Sequence, residues 1–135
     1  MITKEQVLPF IKLAFTEDVR DGDHSSLACI PPNKIGRAQL LVKDQGIIAG
    51  VTLAIWIFES IDPNLHIDVK LKDGATVNKG DIVFMVEGSS LSILTAERLV
   101  LNCMQRMSAI ATKTRKYVAL LTGTKTTILD TRKTT

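Results

Sequence analysis

The stretch KTTILDTRKTT, residues 125–135, combines an apolar run with a cluster of cations and hydroxyls. Residues 126–129 are β-branched or aliphatic and follow a glycine, a pattern that predicts a short buried strand. Thr131, Arg132 and Lys133 then stand just beyond its end. A buried strand that delivers such groups at its carboxyl end is typical of α/β active sites, where Arg can grip a carboxylate or phosphate through two parallel hydrogen bonds. A solvated basic tail is the alternative, and these residues alone do not decide between the two.

Composition and charge narrow the class of protein. The chain has 135 residues, 45% of them hydrophobic and 23% charged, which fits one globular domain or a domain plus part of another. Its net charge of +3 is too small to indicate a nucleic-acid binder. The charge is uneven, however, because residues 113–135 carry six Lys or Arg and one Asp, which leaves residues 1–112 slightly negative. A positive end on a nearly neutral body favours a small anionic ligand over a long polyanion.

Cysteine spacing and hydropathy indicate the cellular compartment in which the protein is expected. Cys29 and Cys103 have no CxxC or Cys/His spacing, so we expect two reduced structural thiols. The N-terminus lacks the apolar core of a signal peptide, and the longest uncharged run, residues 46–58, is shorter than the ~20 residues needed to cross a bilayer. These features predict a soluble cytoplasmic protein with no membrane partner.

The hydrophobic pattern predicts a mixture of helices and strands, an α+β fold. Thr3 and Gln6 are spaced as a capping box for a first helix, in which Pro9 should introduce a kink or move the start to about residue 8. Strands are expected over 37–43, 47–49, 66–72 and 82–86, and a buried helix over 51–61. From Ser89 or Ser90 a further helix should follow, buried on most of its surface, and Ser108 should cap another that runs to about Leu121.

Two polar features attract attention as candidate sites. Arg98, Asn102 and Gln105 fall within about 60° of one another on a helical wheel, which makes a narrow polar stripe on an otherwise apolar helix. A solvent-facing stripe is the simpler interpretation, and a functional one requires Arg98 to face an anion. The acidic stretch EDVRDGD, residues 17–23, could hold a cation but lacks the ligand spacing of a calcium loop, and is more typical of a solvated turn.

Two longer motifs give the chain a family resemblance. LTAERLVLNCMQRMSAIATKT at residues 94–114 and TTILDTRKTT at residues 126–135 together resemble nicotinate-nucleotide pyrophosphorylase, also called quinolinate phosphoribosyltransferase. Three shorter stretches are similar to the same family and occur in the same order: EDVRDGDHSS at 17–26, GIIAG at 46–50 and DGATVNKGD at 73–81. The resemblance covers essentially the whole chain. Arg20 and Ser25 depart from the small residue and the threonine that many relatives have there.

The resemblance implies a fold and a division into domains. Members of this family have an N-terminal α/β sandwich domain followed by an irregular α/β barrel. Residues 1–110 would then be the sandwich, and residues 111–135 would be the first helix and first strand of a truncated barrel. Without the rest of the barrel, the apolar face of a helix over 109–121 would be exposed, so we expect the isolated chain to associate.

The resemblance also implies a reaction. The family condenses quinolinate with phosphoribosyl pyrophosphate to give nicotinate mononucleotide, carbon dioxide and pyrophosphate, with Mg²⁺, in NAD biosynthesis. This chain would belong to a glycosyltransferase, a carboxylating nicotinate-nucleotide diphosphorylase. Thr131, Arg132 and Lys133 match the substrate-binding strand end. Arg98 matches the arginine that the sandwich domain contributes to the active site of the neighbouring subunit, which implies a homodimer.

Some of the machinery is expected elsewhere. The family chain is about twice as long as this one, and the ligands of Mg²⁺ and the catalytic groups are expected beyond residue 135. We therefore predict no catalytic residue and no metal ligand within residues 1–135, and no turnover by these residues alone.

Three other functions remain to be weighed. A paralogue of the same fold could act on another anionic acceptor. A carrier or binding module is suggested by the DGATVNKGD turn, but Lys79 precedes the following strand and is not flanked by the Met or Asp that carriers use. Nucleic-acid binding is disfavoured because the basic region has no interleaved aromatic residues.

Overall fold

A computed structural model describes residues 2–20 and 22–131, and within them four helices and five strands form an α+β unit. The helices are α1 (Lys4–Asp18), α2 (His24–Cys29), α3 (Val51–Ile61) and α4 (Ser90–Leu120). The strands are β1 (Ile35–Leu41), β2 (Gly46–Ile47), β3 (His66–Val69), β4 (Thr76–Val77) and β5 (Ile82–Ser89). The predicted mixture of helix and sheet is confirmed.

Two antiparallel sheets carry the fold. In the larger sheet β5 lies in the centre and pairs with β1 on one side and β3 on the other. The smaller sheet consists of β2 and β4. Strand β5 is central because it is the most continuously apolar of the strands, with Val83 and Val86 almost fully buried.

The core lies between the larger sheet and the helices. Ile57 of α3 and Ala96 of α4 are fully excluded from solvent, and Ile11 of α1 nearly so. The rings of Phe58 and Phe84 meet edge to face, with centroids 6.0 Å apart. This core fixes the N-terminal half of α4 against α3, and thereby the position of Arg98.

Pro9 lies inside the first helix and does not delay its start. The helix starts at Lys4, and the side chain of Gln6 accepts a hydrogen bond from the Thr3 N–H at 3.0 Å. A start near residue 8 is therefore wrong. Pro9 is tolerated within the helix because it faces solvent, where the carbonyl that loses its intrahelical partner can be hydrated.

The expected division of the last helical region at Ser108 is also wrong. Helix α4 runs without a break for 31 residues, from Ser90 to Leu120. The hydroxyl of Ser108 accepts from the Ala49 N–H at 2.9 Å, so it binds a neighbouring segment and caps no helix. The proposed domain boundary near residue 110 falls inside α4 and stays a prediction.

Helix α4 buries one narrow face rather than most of its surface. Its buried residues are Ile93, Ala96, Val100 and Met104, spaced by three or four positions. The C-terminal half of the helix instead exposes several large apolar side chains: Ile110, Tyr117, Val118 and Leu120. This exposure agrees with the apolar face expected over 109–121.

The strand expected over 126–129 is absent from the described residues. This segment has no regular structure, and Leu129 is 82% exposed. A strand needs a partner for its backbone hydrogen bonds and an apolar surface to cover, and neither lies beside this segment.

The two cysteines have different surroundings. Cys103 packs against the core, and burial raises the pKa of its thiol, which keeps it protonated. Cys29 is exposed at the end of α2. Neither forms a disulfide, and no helix in the described part of the chain is both long and apolar enough to span a membrane.

Candidate functional site

Arg98 lines a small polar cavity of about 220 Å³. The cavity lies between the N-terminal half of α4 and the segment that joins α1 to α2. Leu94 and Thr95 share one face of α4 with Arg98 because they precede it by four and three positions. Across from them lie Asp18, Val19, Gly22, Asp23, His24 and Ser25.

Asp18 holds the guanidinium of Arg98 at this cavity. Its Oδ1 accepts from Nη1 of Arg98 at 2.8 Å, which joins the end of α1 to the N-terminal half of α4. The Asp18 side chain is 27% exposed, whereas the Arg98 side chain is 71% exposed. Arg98 is therefore anchored on one side and open to solvent on the other.

Asp23 is the N-cap of α2 and is held by hydrogen bonds from Ser26. Its carboxylate accepts from the Ser26 hydroxyl at 2.6 Å and from the Ser26 N–H at 3.1 Å. These bonds lower the pKa of Asp23, and the positive charge of Arg98 adds a smaller effect in the same direction. Asp23 thus stays ionised and keeps the α1–α2 segment folded beside Arg98.

The charge balance of the cavity limits what it can bind alone. Arg98 is the one Lys or Arg among the lining residues that the structure describes, and it faces two carboxylates, Asp18 and Asp23. A dianion would meet more negative than positive charge here. An anion-binding site at Arg98 therefore requires further cations from another segment or another chain.

The structure separates the members of the predicted polar stripe. Asn102 and Gln105 are exposed on α4, as expected for a solvent-facing stripe, but Gln105 lines a different concavity from Arg98. The sequence grouped these residues by angle alone. What distinguishes Arg98 is the acidic segment that α1 and α2 bring to it.

The strand-end residues are only partly described. Thr131 is exposed, and its N–H donates to Oδ1 of Asp130 at 2.7 Å. It does not line the cavity of Arg98. Arg132 and Lys133 lie outside the described residues, so their predicted role as substrate-binding groups stays a prediction.

The acidic segment offers no metal site in the described part of the chain. No three His, Cys, Asp or Glu side chains come together there as metal ligands. Asp18 and Asp23 already bind Arg98 and Ser26, and Asp21 falls outside the described residues. The donors present do not fit Mg²⁺, whose ligands were expected elsewhere.

A second, larger concavity of about 770 Å³ lies along the C-terminal half of α4. Its walls come from α4 and from the segment that contains β1 and β2. The lining is mainly apolar, with three lysines among it, Lys43, Lys113 and Lys116.

Sequence reasoning missed Asp18. It was considered only as part of an acidic turn that might hold a cation. One local signal could have found it: a carboxylate in the last turn of a helix is disfavoured by the helix dipole and calls for a cationic partner.

Comparisons with known proteins identify the family of the chain. The family described as "Quinolinate phosphoribosyl transferase, N-terminal domain" matches residues 23–108. The chain belongs to the quinolinate phosphoribosyltransferase family. The match includes β1–β5 and the part of α4 that carries Arg98.

Curated relatives extend the similarity beyond the family match. The chain is 45% identical over 125 residues to quinolinate phosphoribosyltransferase [decarboxylating] 1b of Nicotiana tabacum and to the chloroplastic nicotinate-nucleotide pyrophosphorylase [carboxylating] of Arabidopsis thaliana. These alignments cover 92% of this chain but 35% of each relative. The chain therefore spans about a third of the length of these relatives.

Solved structures share the fold. NadC from Streptococcus pyogenes superposes with a TM-score of 0.95 at 34% identity, covering all of this chain and 48% of that one. The nicotinate-nucleotide pyrophosphorylase from Francisella tularensis gives a TM-score of 0.89 at 30% identity, over 98% and 47% of the two chains. The fold described above is thus the fold of the matching half of these proteins.

Proposed function

We propose that this chain is part of an enzyme that transfers the phosphoribosyl group of phosphoribosyl pyrophosphate to quinolinate. One carboxyl group leaves as carbon dioxide, pyrophosphate is released, and nicotinate mononucleotide forms. The observation that carries the proposal is Arg98: in a member of this family, an exposed guanidinium is held by an ion pair over a polar cavity.

Quinolinate explains why a cluster of cations is needed. It carries two carboxylates, and a partly dry pocket must neutralise both. Arg98 supplies one fixed cation, and Arg132 and Lys133 would supply two more, with the hydroxyl of Thr131 as a further donor. Each charged hydrogen bond to a carboxylate should contribute about 1.5–3 kcal/mol.

We propose that the enzyme is a homodimer in which Arg98 reaches the active site of the neighbouring subunit. Two observations support this arrangement. Most of the Arg98 side chain is exposed, and the described lining of its own cavity holds no second cation. An exposed arginine between two carboxylates can complete an anion site only where another surface brings more positive charge.

Mg²⁺ and the cytoplasmic location remain proposals. In a phosphoribosyl transfer a divalent cation would neutralise the pyrophosphate group. No cluster of ligands that could hold it is found among the residues that the structure describes. The Arabidopsis relative is named as chloroplastic and a Nicotiana tabacum relative as mitochondrial, so location differs among these proteins.

An acceptor assay on the complete gene product tests the function. We expect pyrophosphate release that requires both phosphoribosyl pyrophosphate and quinolinate, with nicotinate mononucleotide as the second product. Arg98→Lys should lower kcat/KM for quinolinate by about 10- to 100-fold, because Lys cannot replace a bidentate guanidinium. Arg37→Lys is the matched control, since Arg37 pairs with Glu87 on the larger sheet and should leave kcat/KM unchanged.

The acceptor also separates the two enzyme hypotheses. A monocarboxylate such as nicotinate should not replace quinolinate. If another anionic acceptor supports turnover and quinolinate does not, the chain is a paralogue with a different substrate. A protein that releases pyrophosphate with no acceptor would contradict both.

A further inference from the structure

Asp18 occupies a position that helix stability does not favour. It is the last residue of α1, where the helix dipole is negative, and the last turn of that helix contains no basic residue. The compensating cation is Arg98, 80 positions further along the chain. A carboxylate placed against the dipole and satisfied by one distant arginine points to a role at that arginine.

The geometry of the ion pair leaves part of the guanidinium available. Asp18 bonds to Nη1, and no other described residue bonds to Arg98. No described residue bonds to the edge formed by Nε and Nη2, and this is one of the edges on which two carboxylate oxygens can bind side by side. Asp18 restrains the arginine without occupying this edge.

An unrestrained arginine would bind an anion less well. Its long side chain populates many rotamers when it is free, and each must be given up when a ligand binds. Holding Nη1 in advance removes part of this loss before the ligand arrives. The 71% exposure of the Arg98 side chain makes the restraint matter more, because packing against the protein restricts the side chain only slightly.

We propose that Asp18 is a positioning residue that orients Arg98 so that the Nε–Nη2 edge meets a carboxylate of the acceptor substrate. The inference rests on the proposed function and goes beyond it by assigning a role to a residue that is not expected to contact the substrate. Asp18 acts through Arg98 and does not touch the substrate.

Substitution of Asp18 in the complete gene product tests the assignment. Asp18→Asn keeps the shape and removes the charge, and we expect KM for quinolinate to rise about 3- to 10-fold. The value of kcat should change less than about twofold, and KM for phosphoribosyl pyrophosphate should stay constant. Asp18→Glu should recover part of the affinity. The matched control is Asp68→Asn, which removes another surface carboxylate that pairs with a cation, Lys70.

A double-mutant cycle separates positioning from a general structural effect. The cycle uses the Kd for quinolinate, measured by calorimetric titration in both backgrounds, because Arg98→Ala removes turnover. In an Arg98→Ala background, Asp18→Asn should have no further effect on this Kd, because the residue through which it acts is gone. An equal effect in both backgrounds overturns the inference, as does an unchanged KM in the single variant. Absence of quinolinate turnover in the wild-type protein overturns the proposed function and this inference with it.

Discussion

At the scale of single residues, Asp73 shows how a turn can be used to hold a helix. It lies between β3 and β4, and its carboxylate accepts from the N–H groups of Val51 at 2.8 Å and Thr52 at 3.0 Å, the first residues of α3. The Thr52 hydroxyl donates to it as well, at 2.7 Å. Gly50, just before the helix, has φ +94° and no side chain that could cap it. A residue 22 positions away therefore provides the cap.

The ionisation of Asp73 follows from these contacts. Partial desolvation raises the pKa of its carboxyl, but the hydrogen bonds from Thr52, Val51 and Gly50 together lower the pKa by more, so the net shift is downward. Since the folded-state pKa lies below the ordinary value of 3.8, the stabilisation is present above that pH. It is lost as the pH falls through the folded-state pKa.

We therefore predict a pH-dependent cost for Asp73→Asn. At pH 7 the variant should lose about 1 kcal/mol in the free energy of unfolding, the usual contribution of a helix cap. The difference from wild type should shrink as the pH falls below 3.8. Urea unfolding at a series of pH values measures it. Asp44→Asn is the control, because Asp44 bonds the adjacent Gln45 N–H and holds no helix.

At the scale of elements, α4 protects the edge of the small sheet. The Ile48 N–H and carbonyl bond towards β4 through Ala75 and Gly74, so the backbone groups of Ile47 and Ala49 face the other way, towards α4. The hydroxyls of Thr112 and Ser108 accept from their N–H groups, each at 2.9 Å. Four residues along a helix and two residues along a strand each span about 6–7 Å. Ser108 and Thr112 therefore lie opposite Ala49 and Ile47.

This arrangement predicts a specific cost at Thr112. Thr112→Val keeps the shape of the side chain but leaves the Ile47 N–H without its acceptor, and should lower the free energy of unfolding by about 1–2 kcal/mol. Thr112→Ser retains the hydroxyl and should recover most of the loss. Thermal or urea unfolding of the three proteins measures this. Equal destabilisation by both substitutions would mean that the methyl group, not the hydrogen bond, matters.

The same contacts explain which elements the sequence could and could not predict. Helix α3 and the central strand β5 follow from continuous apolar runs, and both are found. Ser108 was expected to cap a helix because a serine before an apolar segment usually does so. Its hydroxyl instead serves Ala49, 59 positions away, and such long-range use leaves no local pattern. The strand predicted over 126–129 is not found for the opposite reason: its apolar pattern is present, but none of the described strands lies beside it.

The candidate site also contains one residue that the sequence could identify and two that it could not. Arg98 could be selected from its place in a family motif, and the structure places it at a polar cavity, while its role stays a prediction. Asp18 and Asp23 could be read only as an acidic turn, since the 80-residue separation from Arg98 conceals the ion pair. Charge complementarity between a helix end and a distant arginine appears only once both helices are placed.

At the scale of the whole molecule, two features of the surface are relevant to assembly: the cavity at Arg98 and the exposed apolar face of α4. Arg98 faces two carboxylates without a second cation among the described lining residues, and the C-terminal half of α4 presents Ile110 and Leu120 to solvent. The apolar face is the one expected to be covered by the rest of the barrel. The cavity at Arg98 is the feature that calls for another cationic surface, which the proposed homodimer would supply.

Subunit complementation tests this central claim most directly. Arg98→Ala and Arg132→Ala variants of the complete gene product, each inactive alone, would be mixed so that subunits exchange, and quinolinate-dependent pyrophosphate release would be measured. If Arg98 serves the neighbouring site, each mixed dimer has one intact site, and random exchange should restore about a quarter of wild-type activity. If Arg98 serves its own subunit, no mixed dimer has an intact site, and the mixture would stay as inactive as its parts.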